Sequence, residues 1–141
     1  RAAIAGQCKL AVSNTYYLAG MLISDVEADV EVAKQVGVFF PNQAGNNESE
    51  RRGAHMNVSG AGVVKTAPNK AEAIQLLEFL TGDFAQKFYS EVNNEYSVRS
   101  DIPVSDVLRG FGDFKADSLN LDTLGRNNES AVRMADRAGW R

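Results

Sequence analysis

Apolar residues come in short unbroken or alternating runs through the first half of the chain and at helical spacing through much of the second. Residues 8–12 form an apolar run between Gly6 and Asn14 and predict a buried strand. A short helical stretch follows from Leu18 to about Ser24, and the polar residues 25–34 fit a loop or a weak helix. Residues 36–40, Val-Gly-Val-Phe-Phe, predict a second strand stopped by Pro41. Residues 42–53 read as a polar loop, and the apolar alternation over 55–64, interrupted by glycines, as a strand with a bend. The clearest element comes next. Asn69 stands in the capping place with Glu72 three residues on, and Ala73, Ile74, Leu77 and Leu80 make an apolar stripe. Gly82 is expected to end that helix as its C′ residue and Asp83 to cap the next. On this second helix Phe84, Phe88 and Val92 share a face, and Asn93 and Asn94 close it. A linker-like stretch then reaches about Phe114, and a final helix is expected from Asn127 or Asn128 through Val132, Met134 and Ala135 to Gly139. At the other end, residues 1–5 read as the back half of a helix that stops at Gly6, without an N-cap or Met, as in a piece of a longer protein.

Few strands among many helices make an α/β or α+β pattern. The polar stretches near 42–53 and 99–113 are expected places for the chain to cross between lobes. A length of 141 residues fits one ordinary domain. With 44% hydrophobic and 23% charged residues the composition is that of a soluble globular protein, not a disordered one. The net charge of -3 gives no general basic footprint, so nucleic acid is not an expected partner. No apolar run approaches the length of a membrane span, and the opening residues lack the basic and apolar regions of a signal peptide. A lone cysteine, Cys8, excludes a disulfide within the chain, and one His beside one Cys excludes the usual zinc sets.

The chemistry therefore falls on other residues. Tyr16 and Tyr17 sit side by side in Ser-Asn-Thr-Tyr-Tyr-Leu, where the strand-like run gives way to a helix. A phenolate is a hard anionic oxygen donor and suits hard, highly charged cations such as ferric iron. Most Tyr-Tyr pairs, by contrast, are packing residues. Adjacent helical residues point about 100° apart, so the two rings converge on one ion only at a bend or a helix start, which the switch from strand to helix supplies. Other residues carry blander readings. His55 is expected in a structural or hinge role, and Cys8 as packing in a buried strand. A Cys8–His55 nucleophile pair has no supporting motif. Gly60-Ala61-Gly62 lacks the third glycine of a dinucleotide loop, and close approach between strands explains it better. The sequons at Asn47, Asn57 and Asn128 read as chance, and Arg51 with Arg52 as a solvated loop pair.

Four stretches in order carry a resemblance across nearly the whole chain. They are Asn14-Thr15-Tyr16-Tyr17, Phe40-Pro41-Asn42-Gln43 with the run from Gly53 to Val63, Asn69 through Leu80 with Gln86 and Asn94 to Val98, and Leu124 through Trp140. Together they resemble the C-terminal part of a periplasmic ferric-iron-binding protein of an ABC transporter. That family often has proline where Ser97 stands, which touches no ligand.

The resemblance implies an α/β fold that is part of a two-lobed, type II periplasmic-binding-protein clamshell. Residues 1–46 would belong to the C-terminal lobe, 47–97 to the N-terminal lobe, and 98–141 would return to the C-terminal lobe, with most of the N-terminal lobe absent. It implies no catalysis. Tyr16 and Tyr17 would bind Fe(III), and Asn14 would help hold a synergistic anion, carbonate or phosphate. On its residues alone Asn14 equally fits a strand end or helix cap. The other iron ligands would lie on residues this chain lacks, so weak or absent iron binding is expected of the chain as it stands. An ABC permease in a Gram-negative-type periplasm would be the receiving partner. Alternatives are a solute-binding protein of the same fold for a phosphonate, polyamine, thiamine or sugar, an enzyme using Cys8 and His55, and a fragment without independent binding function that dimerises through exposed apolar surface.

Overall fold

The computed structural model describes residues 1–140, which form two compact units. The first comprises residues 1–39 and 57–113, and the second residues 40–56 and 114–140. The first holds α1 (Thr15–Leu22), α2 (Glu27–Ala33), α3 (Lys70–Leu80), α4 (Asp83–Glu91) and the single turn α5 (Asp106–Arg109). Helix α1 packs against α2 and α5, and α3 packs against α4. On these helices Ala19, Ala33, Ala85 and Leu108 are buried, as is Ile102 between α4 and α5 in the chain. No helix among the described residues is long and apolar enough to cross a membrane.

Two buried side chains tie α4 to the chain that follows it. Gln86 donates to the Leu80 carbonyl (2.8 Å), while its Oε1 accepts from Ser97 Oγ (2.8 Å) and the Val98 N–H (3.1 Å). Ser90 Oγ donates to the Pro103 carbonyl (3.1 Å) and accepts from the Ser105 N–H (3.2 Å). Arg99 extends the tie by pairing with both Asp101 and Asp83. The linker-like stretch is thus fixed by polar side chains, which satisfy groups that would be costly to bury alone.

The second unit is built on one parallel bridge, Ala54 to Ala116. The Ala54 N–H donates to the Lys115 carbonyl (2.9 Å) and the Asp117 N–H to the Ala54 carbonyl (2.8 Å). Gln43 spans the same place, accepting from the Lys115 N–H (2.6 Å) and donating to its carbonyl (3.1 Å). Phe40 stacks on Phe114 with ring centres 4.2 Å apart. Gly53 is required here. Its φ is +104°, and a Cβ would lie 2.6 Å from the Ala116 carbonyl. Arg52 reaches Asp117 Oδ2 (2.6 Å), so it is no free loop cation. The unit continues into α6 (Leu121–Arg137).

Several expectations from the sequence need correction. Residues 8–12, 36–40 and 55–64 run outside helices, but none is in a ladder, and the Ala54–Ala116 bridge is the one β contact among the described residues. A strand exists only through a neighbour that takes its N–H and C=O groups. These runs have no such neighbour, and Leu10 and Val12 are 81% and 91% exposed. Gly60 and Gly62 face open space, so no close approach explains them. Helix α1 starts at Thr15, not Leu18, and contains both tyrosines. Helix α6 starts at Leu121, well before Asn127, because the Asn120 side chain accepts from the Asp122 N–H (2.9 Å) and caps it there. Asn69 does hold the N-cap position of α3, yet its side chain makes no capping bond. Gly82 keeps an ordinary φ of -76° and is itself the N-cap of α4, while Asp83 is spent on Arg99. Near the start, residues 1–5 make a helical turn that ends at Gly6, whose φ is +75°. The Gly6 and Gln7 N–H groups fold back to the Ala3 and Ala2 carbonyls.

Candidate metal centre

Asn14 leaves extended backbone (φ -72°, ψ 145°) and begins α1, which places Tyr16 and Tyr17 in the first helical turn. At a helix start the side chains are not yet hemmed in by a preceding turn. The two rings meet there, with centres 4.4 Å apart and planes tilted by 47°. Tyr16 is half-buried and Tyr17 is 61% exposed. The pair packs ring on ring and still presents a phenol to solvent.

The Asn14 side chain does not cap the helix it begins. Its Nδ2 donates to Tyr16 Oη at 3.0 Å, and its Oδ1 accepts from Asn57 Nδ2 at 3.3 Å. Asn14 thus serves the tyrosine, not the helix. Asn57 was not singled out as a site residue by its sequence position. The bond joins residues 43 apart, and no local pattern signals it.

Electrostatically, the Tyr16 hydroxyl holds the Tyr17 phenol above its ordinary value, through a hydrogen bond first and through charge second, with a further contribution from desolvation. Two phenolates side by side repel. A trivalent cation reverses that balance by stabilising both charges. The site therefore offers two hard oxygen donors and an amide donor on one of them.

The remaining candidates lie elsewhere. His55 is exposed in the second unit beside Ala54, and its charge adds weakly to the effect of Arg52 in lowering the pKa of Asp117. Cys8 is a free, half-buried thiol outside any strand. No group of three or more His, Cys, Asp or Glu side chains capable of holding a metal occurs among the described residues.

Solved structures define the class. The chain matches a ferric binding protein from Campylobacter jejuni with a TM-score of 0.89 and 35% identity, covering all of this chain and 43% of that one. It matches a Trichodesmium protein (IdiA, FutA), solved in complex with iron and citrate, with a TM-score of 0.89 and 47% identity over 99% of this chain and 42% of that one. Among curated proteins it is similar to iron uptake proteins A1 and A2 of Synechocystis. It is 43% identical to A1 over 96% of its length and 44% identical to A2 over 99%. The chain is thus a homologue of ferric-binding proteins of the iron-uptake type, as its four sequence stretches imply. It spans 36% and 39% of the length of these two curated relatives. No family model matches the sequence.

Proposed function

We propose that this chain supplies the tyrosine half of an Fe(III) site in a substrate-binding protein for iron uptake. Tyr16 and Tyr17 are the phenolate ligands, and Asn14 stands beside them to donate to a synergistic anion, carbonate or phosphate. The supporting observation is the convergence of the two rings at the start of α1, with the Asn14 amide on one phenol oxygen. The Trichodesmium homologue in complex with iron and citrate supports the same reading.

In the longer protein, residues 1–46 and 98–141 belong to the C-terminal lobe of a type II clamshell, and residues 47–97 help complete the N-terminal lobe. Closure of the lobes would enclose the iron, and reopening at an ABC permease would release it in the periplasm. Function is binding and delivery, without catalysis. Two phenolates provide about a third of the roughly six donors of an octahedral ion, so the chain alone holds iron weakly, with anion and water filling the remaining positions.

Titrating concentrated protein with ferric citrate tests the reading. A visible phenolate-to-iron band is expected, and it should vanish in the double variant Tyr16→Phe/Tyr17→Phe. A new band that survives in the double variant refutes the assignment.

A further inference from the structure

We propose that Asn57 is a positioning residue of the tyrosine site, turning the Asn14 side chain so that its NH₂ end, not its carbonyl end, faces Tyr16. The functional consequence rests on the ferric reading above, whereas the orientation itself does not. An asparagine amide has nearly the same shape in its two orientations but opposite hydrogen-bonding character at each end. With NH₂ toward Tyr16 Oη, Asn14 donates to the phenol oxygen, a bond that an oxygen ligating a cation could keep. With the carbonyl there, it would need the phenolic hydrogen, which a ligating oxygen does not carry.

Something must choose between the two. The helix does not, because Asn14 makes no capping bond and its Oδ1 is left for another donor. Asn57 provides that donor at 3.3 Å, and Asn14 Nδ2 then lies 3.0 Å from Tyr16 Oη. The result is a directed relay from Asn57 through Asn14 to Tyr16. The 3.3 Å bond lies just beyond the usual N–H···O range, so the bias is modest.

Two measurements on the full chain test the relay. Heteronuclear NMR of the Asn14 side-chain amide comes first. Both Asn57→Leu and Tyr16→Phe should move its signals, and Asn57→Gln, which keeps an amide donor, should restore much of the native position. Unmoved Asn14 signals in Asn57→Leu overturn the proposal whatever the iron does. Ferric citrate binding comes second. Groups that hold a metal ligand in place are worth roughly 10–100-fold in affinity, and the long bond puts Asn57→Leu near tenfold. That loss should disappear when Asn14 is already alanine, because Asn57 acts only through Asn14. An equal loss in both backgrounds overturns the proposal. If no variant, native included, gains a phenolate band, the amide signals alone decide the relay. Asn57 is exposed, so a circular dichroism melt should show these variants folded like the native chain.

Discussion

Tyr16 and Tyr17 are unequal partners. Tyr16 is half-buried and takes the Asn14 amide, whereas Tyr17 is exposed and its phenol is held neutral to higher pH by its neighbour. Removing that neighbour should let Tyr17 ionise more readily. In the iron-free chain, Tyr16→Phe is expected to bring the Tyr17 transition down toward the ordinary tyrosine value of ~10, followed by tyrosinate absorbance. Bound iron acts in the opposite sense to the neighbour. Each phenolate that ligates iron has given up a proton, so affinity should fall as pH falls, and uptake should acidify an unbuffered solution. Either single Tyr→Phe variant should weaken iron binding by more than the roughly 10–100-fold expected for loss of a supporting hydrogen bond. The sequence made the tyrosine pair and Asn14 visible because they are adjacent and stand where a strand-like run meets a helix. It did not reveal Asn57, whose role depends on a contact made only after folding.

Among the elements, helices were more legible than strands. Stripes at helical spacing located α3 and α4, because a helix satisfies its own backbone within a few residues. Their ends were less legible: Gly82 and Asp83 are shared between a cap, a turn and the Arg99 ion pair. A strand depends on a partner, and residues 8–12 carry strand-like apolarity with no partner among the described residues. The contacts that hold these elements make separate predictions. Gln86→Ala should strand the Leu80 carbonyl, the Ser97 hydroxyl and the Val98 N–H, costing about 1–3 kcal/mol in urea unfolding. Gly53→Ala combines a positive-φ strain of ~1–3 kcal/mol with a clash against Ala116, and should loosen the second unit selectively, seen as faster amide exchange at Ala54 and Asp117. The second unit should also be sensitive to acid. Its Arg52 partner holds the Asp117 carboxyl below its ordinary value, so the pair contributes at and above the ordinary carboxylate range. That contribution is lost as pH falls through the lowered value. The melting difference between native protein and Asp117→Asn should accordingly close in acid.

At the scale of the whole molecule, much apolar surface has no cover. Leu10, Val12, Phe39, Phe84, Phe88 and Trp140 are all exposed. Apolar area of this kind commonly marks an interface. Two of these residues, Leu10 and Val12, lie on a strand-like run without a ladder, which fits a fold completed by further residues in its longer homologues. Alone, the chain should self-associate with concentration, visible by light scattering. The proposed site follows the same logic, since two phenolates supply only about a third of the donors of an octahedral ion. The most direct test restores the rest. This chain replaces the matching stretch of the Trichodesmium protein solved with iron and citrate, to which it is 47% identical. The account predicts a folded chimera that binds ferric iron with a phenolate charge-transfer band and loses both when Tyr16 and Tyr17 are changed to Phe. A chimera that folds but takes up no iron, or one whose iron and colour survive the double change, would contradict it.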